Sequence, residues 1–304
     1  MTHTSYLLLD RVEIQAANTI SSPLTYGFPA ITGFVGAVHA LGRKLPAGNG
    51  ISLGGVLIAS HQCNVQHYRP HSYADYTFNQ TRNPIKKDGK TAAIVEEGKV
   101  NLTVSLVIEV NIDRQAHKAL RENAVEFEQT IKQLVMQQRI AGGSVFNVRS
   151  AKWFESVGGD LQRALLPAFV LMDAQNDLAE ITAALQIKQP EATALDALID
   201  VVTVHHHPPD AEKDEPKWRA SSVKTGRGWL VPIPVGFQGI APLIEAGQLA
   251  NCRNPEYTSQ YVESVYSLGK WVFPYRLNDL TTCFWRYSQP QNNLYLVTQT
   301  YDNL

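Results

Sequence analysis

The sequence predicts an α+β protein whose first half has the element order strand, helix, strand, strand, helix, strand. Apolar residues alternate along several segments of this half, which is typical of half-buried strands. In two other segments they recur at three- and four-residue spacings, which is typical of amphipathic helices. This order corresponds to a ferredoxin-like βαββαβ unit with a long insertion between its second and third strands.

The first predicted strand covers residues 6–14, where three consecutive leucines lead into the alternating Val12 and Ile14. A segment rich in Ser, Thr, Pro and Gly follows at 18–29, and we expect that it is not regular structure throughout. The first helix begins near Pro29, because proline suits a first helical turn. The later elements are predicted as strands at 56–65, 102–112, 145–149 and 165–172 and as one helix at 116–138, which stops at Gly142 and Gly143.

Three glycines, Gly33, Gly36 and Gly42, lie in the first predicted helix. Each costs up to about 1 kcal/mol relative to alanine in a helix interior. Their presence in one short helix indicates close packing there, or a backbone approached by something large.

The second half is less regular and predicts a β-rich region with short helices. Residues 205–216 contain prolines and charges, and we expect an exposed loop there. Residues 228–242 combine apolar side chains with several glycines and prolines, so edge strands or turns are expected. The other predicted elements are helices at 178–185, 192–202 and 257–268 and a closing strand at 294–298.

The composition is that of a folded protein. The 304 residues include 27 basic and 28 acidic side chains, a net charge of −1, and 44% hydrophobic residues. Disordered chains combine low hydrophobicity with high net charge, so that class is excluded. The pI of about 6.8 gives no whole-chain sign of nucleic-acid binding, which is usually sought above about pI 9.

The cysteines are few and widely spaced. Cys63, Cys252 and Cys283 form no CxxC pair, so neither a disulfide framework nor a zinc site is predicted. We therefore expect a reduced, cytoplasmic protein without a metal or other cofactor. The first ten residues lack the features of a signal peptide, and no apolar run approaches the roughly 18 residues that cross a membrane.

The insertion carries basic and aromatic residues. Between Arg43 and Lys90 there are seven basic side chains against two acidic ones, a local balance of +5. Cations that contact phosphates, interleaved with rings that stack on bases, are typical of single-stranded nucleic-acid binding. A solvated hairpin whose tyrosines pack on its own faces is the alternative. The residues concerned are Arg43, Lys44, Arg69, Arg82, Lys86, Lys87 and Lys90, with Tyr68, Tyr73, Tyr76, Phe78, His61, His67 and His71 among them.

Two other segments are candidate ligand sites. Residues 18–25 offer an amide, hydroxyls and main-chain N–H groups ahead of the first helix, where anions can bind. An ordinary helix start is the alternative reading of that segment. His205, His206 and His207 are consecutive, but successive residues rarely converge on one metal ion, so a solvated loop is favoured.

Catalytic candidates are weak. His39, and the pair Cys63 and His67, are possible bases or nucleophiles, but nothing near them orients a triad. A histidine in an apolar helix such as that of His39 favours a core position. Glu96 and Glu97 are adjacent, so on a strand their side chains point to opposite faces. No segment reaches the standard of a catalytic motif.

Six segments, in order along the chain, resemble a known family. The first, ISSPLTYGFPAITGFVGAVHALGRKL at 20–45, is similar to the corresponding segment of the Csy-family subunit that caps the 5′ end of the guide RNA in the type I-F CRISPR surveillance complex. That subunit is the Cas-five-class member of the RAMP superfamily. The other matching segments are 81–98, 139–144, 163–171, 190–200 and 228–234.

The resemblance implies an RRM-like core at 1–175, with a protruding thumb at about 62–98, and a C-terminal α+β region at 176–304 packed on it. It implies a non-catalytic subunit that binds the 5′ handle of crRNA and joins the large subunit to the backbone subunit of the Csy complex. Target DNA is then met indirectly, through the guide. The alternative from another class is a metal-independent RAMP endoribonuclease acting on precursor crRNA, with His39, His67 or Tyr68 as candidate bases.

The resemblance also selects candidate RNA contacts. The strongest phosphate contacts are expected in TRNPIKKDGK at 81–90, and the segment before the first helix is expected to cradle the handle. The roles of residues 68–78 and 205–217, which lie outside the matching segments, stay open. The full set of candidate RNA-binding residues is Asn18, Ser21, Ser22, Thr25, Tyr26, Arg43, Lys44, Arg82, Asn83, Lys86, Lys87, Lys90, Arg139 and Trp229.

Overall fold

The computed structural model describes residues 3–46, 48–208 and 218–299. Within these ranges the protein is α+β, as predicted. The strands are β1 (His3–Asn18), β2 (Ile20–Ser22), β3 (Thr25–Tyr26), β4 (Ile51–Tyr68), β5 (Thr77–Phe78), β6 (Gln80–Arg82), β7 (Ile94–Glu96), β8 (Lys99–Ile112), β9 (Arg139–Ile140), β10 (Gly143–Phe154), β11 (Phe169–Asp173), β12 (His205–His207), β13 (Arg219–Ser221), β14 (Trp229–Gly239), β15 (Val262–Val272), β16 (Arg286–Gln291) and β17 (Leu294–Thr298). The helices are α1 (Ile31–Gly42), α2 (Arg114–Glu122), α3 (Ala124–Met136), α4 (Gly159–Ala164), α5 (Gln175–Gln186) and α6 (Ala194–Val202), with short 3-10 turns at Pro274–Arg276 and Leu280–Cys283.

One large antiparallel sheet organises the described residues. Its strand order is β16-β17-β14-β15-β11-β4-β8-β1-β10-β9, and β5 pairs with the end of β4. The long strands β4, β8, β1 and β10 therefore lie side by side, each antiparallel to the next. The later strands extend the same sheet beyond β4 through β11, while the proposed division of the chain near residue 175 stays a prediction.

Both faces of this sheet are covered. Leu7 and Leu9 of β1 pack with α1 and α3 on one face, where Phe34 is fully buried. Leu8 packs in a second cluster on the other face, with Phe284. The three consecutive leucines of β1 thus follow from burial on both sides, which favours continuous apolar runs over strict alternation.

The predicted helix at 116–138 is wrong in two respects. It is two helices, and Gly142 and Gly143 do not end it, because α3 ends at Met136 and Gly142 lies in the turn between β9 and β10. α2 ends at Glu122, and Asn123 separates it from α3 with a φ of −126°. The Asn123 amide donates to the Ala119 carbonyl over 3.3 Å, which occupies an acceptor at the end of α2. The strand predicted at 165–172 begins only at Phe169, because α4 and its C-terminal turn precede it.

The second half departs from the sequence prediction in three places. The helix predicted at 257–268 is wrong, since residues 262–272 form β15 between β14 and β11. Residues 205–207 form β12, paired with β13, where a loop was expected, and residues 209–217 lie outside the described ranges. Residues 229–239 form one long strand, β14. Its prolines, Pro232 and Pro234, precede the residues that pair with β17, so the N–H groups that they lack are not needed for hydrogen bonds to β17. α5, α6 and β17 confirm the helices predicted at 178–185 and 192–202 and the strand at 294–298.

Gly33 is the helical glycine with a packing reason. A Cβ built on it would lie 3.0 Å from the Ala141 Cα, whereas Gly36 has no atom within 4 Å of such a Cβ. The close packing expected for α1 is therefore present at Gly33, against the turn between β9 and β10. Among the described helices, none has the length and apolar character that a membrane crossing needs.

Candidate nucleic-acid interface

A pocket of about 500 Å³ opens beside β4, where β11 begins. β11 pairs with β4 only through Phe169 and Val170, so β4 beyond Ser60 has no β11 neighbour there. One wall is the β2–β3 hairpin before α1, a second is β4, and a third is β14 with β15. The lining residues are Ser21, Thr25, Tyr26, Gly27, Phe28, Pro29, Ile31, Ser60, His61, Gln62, Cys63, Phe169, Leu171, Trp229, Val231, Pro232, Ile233, Pro234 and Trp271.

Aromatic rings dominate one side of this pocket. Trp229 and Phe169 meet edge to face with ring centroids 5.5 Å apart. Trp271 lies 6.3 Å from Trp229 and meets Phe28 edge to face, with ring centroids 5.0 Å apart. These rings support one another in geometries that aromatic side chains prefer. Trp229, a predicted contact, is 56% exposed despite these neighbours.

The β2–β3 hairpin satisfies its own hydroxyl groups. The Thr25 hydroxyl lies 2.7 Å from those of Ser21 and Ser22. The Asn18 side-chain amide donates to the Ile20 carbonyl over 2.8 Å, which fixes the start of the hairpin. Ser21, Thr25 and Tyr26 therefore reach the pocket as a preformed wall, while Asn18 and Ser22 support that wall and do not line the pocket.

His61 connects the pocket wall to a buried polar network. It occupies an irregularity of the β4–β8 register between Ser60 and Gln62, and such bulges re-aim side chains. Its Nδ1 lies 2.6 Å from the Pro167 carbonyl and its Nε2 2.8 Å from the Ser105 hydroxyl. The Ser105 hydroxyl also lies 3.2 Å from the buried Asp10 carboxylate. Burial lowers the pKa of His61, and the nearby Arg11 acts in the same direction.

Asp10 is held by cations on both sides. Arg149 donates to its Oδ2, and Arg11 lies 3.8 Å from its Oδ1. The Arg11 guanidinium also donates to the Leu166 carbonyl over 3.2 Å. The network thus joins β1, β4, β8 and β10 to the turn that leads into β11, and it holds His61 in the pocket wall.

The insertion, predicted at about 62–98, begins as a continuation of β4. Its residues 62–66 still pair with β8, and the chain leaves the central sheet beyond Gln66. The insertion contains β5, the β6–β7 hairpin, and a turn at 86–90 closed by the Lys86 N–H to Lys90 carbonyl bond of 2.9 Å. The side chains of Arg82, Asn83, Lys86 and Lys87 are exposed, and within the described residues they make no ion pair. Lys90 lies 3.7 Å from Asp88. The predicted phosphate contacts are thus exposed cations at one end of the insertion.

The tyrosines of the insertion divide into two groups. Tyr76 packs against His67 at 4.7 Å and lies under the Arg69 guanidinium at 5.0 Å, so it belongs to the insertion's own packing. Tyr76 nevertheless stays exposed, as do Tyr68 and Tyr73, the last to 95%. Both alternatives for these rings, self-packing and availability for stacking, therefore occur within one segment.

The hairpin before α1 rests on the base of the insertion. The Thr19 N–H donates to the Gly98 carbonyl over 3.1 Å, and Tyr26 meets Phe78 edge to face at 5.6 Å. A Cβ on Gly98 would lie 2.5 Å from Ile20 Cγ1, so this contact requires glycine. The pocket and the basic insertion are consequently parts of one continuous surface.

Three predicted contacts lie away from the pocket. Arg43 and Lys44 follow the C-terminal end of α1, whose 12 residues separate them by about 18 Å from the hairpin end. Arg139 is exposed and donates to the Gly142 carbonyl across the β9–β10 turn. The Asn18 N–H donates to the Ala141 carbonyl in that turn over 2.9 Å, so the turn borders the hairpin but not the pocket.

The histidine candidates do not assemble into a reactive site. His39 is exposed on α1, which corrects the expectation of a core position. His205 pairs with Asp200. Within the described residues no three His, Cys, Asp or Glu side chains are grouped as metal ligands would be.

The cysteine and glutamate candidates are equally poor. Cys63 is exposed as a residue, yet burial around its sulfur raises the pKa of the thiol to about 11, which disfavours a nucleophilic thiolate. Glu96 accepts the Phe78 N–H over 3.2 Å. A hydrogen bond from Lys99 lowers the pKa of Glu97. The two carboxylates are therefore used separately in the insertion.

Sequence reasoning missed His61 as a structural hub and the partners of Trp229 in the aromatic wall. Phe169 and Trp271 lie about 60 and 40 residues from Trp229 along the chain, and only the order of β11, β15 and β14 brings them together. The bulge at His61 leaves no sequence signal. The one usable sign was the apolar segment at 228–234, whose only aromatic residue is Trp229.

Comparison with known proteins identifies the family. A family model described as CRISPR-associated protein (Cas_Csy2) matches residues 7–297. The chain is 37% identical to a CRISPR-associated protein Csy2 of Pseudomonas aeruginosa (strain UCBPP-PA14), over 95% of this chain and 93% of that protein. A functionally uncharacterized Streptococcus mutans protein aligns over 73% of this chain and 88% of its own, at 9% identity and a TM-score of 0.25, which is too low to bear on fold or function. The chain therefore belongs to the Csy2 family of CRISPR-associated proteins, within the type I-F system of antiviral defence.

Proposed function

We propose that the chain is a non-catalytic subunit of the Csy complex that binds the 5′ handle of crRNA and joins the large subunit to the backbone. The family match supports a place in the Csy complex. The observation that carries the RNA assignment is the continuous surface from the exposed cations of the insertion, through Phe78 and Tyr26, to the aromatic pocket. Cations for phosphates beside rings for bases are what single-stranded RNA requires.

We further propose that the core is ferredoxin-like, of the RRM-like kind, and that the insertion is the thumb. The spatial order β4-β8-β1-β10 supports this, because it places the first and third strands of a βαββαβ unit at the centre. The insertion connects the second and third strands of that unit, at 62–98. The Cas-five-class assignment within the RAMP superfamily rests on the same order together with the resemblance of the chain.

Protein neighbours are expected at α6. Its outward residues Leu195, Ile199 and Val202 are exposed and follow a spacing of four and three residues, which places them on one helix face. Contiguous exposed apolar side chains mark protein contacts. This face is a candidate surface for the large or the backbone subunit.

The RNA assignment is tested with two triple variants of matched charge. R82A/K86A/K87A removes the exposed cations of the insertion, and R114A/K118A/K188A removes one arginine and two lysines exposed on and beside helices. Each lost phosphate contact lowers the slope of log affinity against log salt by about 0.7 for single strands. We expect the first variant alone to weaken binding of handle RNA and to flatten this slope, as read by fluorescence anisotropy.

Equal binding by the wild type and both variants would overturn the assignment of these cations. The endoribonuclease alternative is tested by incubating the protein with labelled precursor crRNA in the presence of a chelator. Specific cleavage that H67A or Y68F abolishes would replace the non-catalytic proposal. We expect the RNA to be bound and left intact.

A further inference from the structure

We propose that the pocket beside β4 takes one nucleobase of the handle, unstacked from its neighbours and held against Trp229. This inference rests on the proposed function, since it requires that the chain bind handle RNA. It goes further in naming the chemical group that fills the pocket and the residue that holds it.

The chemistry of the lining selects an uncharged planar group. No Asp, Glu, Lys or Arg lines the pocket among the described residues. A phosphate or a carboxylate would therefore enter without a counter-charge, at a high desolvation cost. A nucleobase is uncharged and has two apolar faces, and the volume of about 500 Å³ leaves room for it and for part of its ribose.

The aromatic wall is preorganised with ring surface left over. Trp229 and Phe169 remain 56% and 42% exposed although they contact each other. Trp229 also lies 6.3 Å from Trp271, which in turn contacts Phe28, so its ring is braced before any ligand arrives. A braced ring loses little conformational entropy on stacking, which favours affinity.

The opposite wall can meet the edge of a base. β4 beyond Ser60 pairs with β8 on one side and has no β11 neighbour on the pocket side. Its polar residue Gln62 lines the pocket there. His61 has both ring nitrogens engaged, with the Pro167 carbonyl and the Ser105 hydroxyl, so it is a positioning residue that shapes the wall.

The path of an RNA strand is consistent with this occupant. β4 leads directly from the pocket wall into the insertion, and Tyr26 at the pocket contacts Phe78 of the insertion. A strand whose phosphates lie along the exposed cations can therefore send one base into the pocket. A side chain from a neighbouring protein subunit would fill the pocket without any need for the exposed cations of the insertion.

The test combines a substitution of Trp229 with removal of single bases from the RNA and measures binding affinity. Handle RNAs carrying one abasic site at each position in turn are titrated against wild type, W229A and W218A; Trp218 is an exposed tryptophan outside the pocket. Base–aromatic stacking corresponds to about 5- to 150-fold in affinity. We expect W229A to weaken binding of intact handle RNA by a factor in this range. For the RNA that lacks the base filling the pocket, we expect W229A and the wild type to bind equally well.

Cys63 gives a second readout, because it lines the pocket. Handle RNA is expected to slow alkylation of Cys63 at alkaline pH, but not that of Cys252, measured by mass spectrometry on the same sample. RNA that lacks the base filling the pocket should lose this protection.

The outcomes separate the two proposals. If wild type fails to bind handle RNA, the proposed function falls, and this inference falls with it. If wild type binds and the loss in W229A is the same at every abasic position, only the base pocket is overturned. If W229A leaves RNA affinity unchanged but lowers assembly with the other Csy subunits, the pocket holds a protein side chain and the inference is overturned.

Discussion

Glu109 of β8 and Arg286 of β16 form an ion pair inside the protein. The Arg286 Nε donates to Glu109 Oε2 over 2.9 Å, and the Gly55 N–H donates to the same oxygen over 2.9 Å. Glu109 is only 6% exposed. The pair connects the central sheet to the last strands of the chain, and its carboxylate also satisfies the main chain of β4.

Removing one partner of this pair should be costly. E109A removes the carboxylate that accepts from Arg286 and from the Gly55 N–H, while Arg286 keeps its hydrogen bond to the Phe284 carbonyl. Breaking such buried pairs costs about 3–5 kcal/mol. E109Q keeps an acceptor for Gly55, so we expect a smaller loss. Denaturant unfolding of both variants measures the difference. A loss below about 1 kcal/mol for E109A would show that the pair does not stabilise the fold.

Gly33 and Gly36 of α1 should respond to alanine with opposite signs. G33A places a Cβ 3.0 Å from the Ala141 Cα, and overpacking of this kind costs about 1–3 kcal/mol. G36A meets nothing within 4 Å, so the helix propensity of alanine should raise the free energy of unfolding by up to about 1 kcal/mol. Thermal melts of the two variants provide the comparison. Equal shifts would contradict the packing of α1 on the β9–β10 turn.

Acid should weaken the fold through His61. Burial lowers its pKa below the usual 6.5, so the unfolded chain takes up a proton before the folded one. The contribution of neutral His61 to the free energy of unfolding is therefore full above pH 6.5, and it is lost as the pH falls from 6.5 towards the lowered pKa. H61Q lacks this titration, and its unfolding free energy should fall less than that of the wild type between pH 7.5 and 5.5. Parallel pH profiles in urea unfolding would refute this role.

The exposed face of α6 should be required for assembly and not for folding. I199E puts a charge at its centre, while V125E changes an equally exposed residue of α3. We expect I199E to lower copurification of the other Csy subunits several-fold with an unchanged melting temperature, and V125E to have no effect. Normal assembly of I199E would remove α6 from the candidate contact surfaces.

The first half of the fold is largely readable from its sequence, because its strands and helices are long and strongly periodic. The failures have local causes. Asn123 interrupts a helix whose apolar spacing continues on both sides. The helix predicted at 257–268 is wrong although residues 262–272 contain strand-favouring side chains such as Val262, Val265 and Tyr266. In that segment the pairing with β14 and β11 decides the structure.

The candidate site divides in the same way. The basic insertion is a property of composition and is visible along the chain, as is the hydroxyl-rich hairpin. The pocket is a property of strand order, because β11 is short and leaves β4 uncovered beyond Ser60. The spacing of residues in the sequence does not predict that β11 begins as late as Phe169. Trp229 was named from the resemblance, and its partners became evident only in three dimensions.

The exposed turn at the end of the insertion allows the β6–β7 hairpin to differ in length between members of the family. Gly89 in this turn has a φ of +78° and no atom within 4 Å of a Cβ position, and residues 82–91 are all exposed. Extending β6 and β7 by two residues each would carry the turn about 7 Å outward. The central sheet and the pocket would be undisturbed. Insertions and deletions in β6 and β7 can therefore change the distance between the charged tip and the pocket without rebuilding the central sheet. Under the proposed function, that distance sets the length of the RNA segment that lies between them.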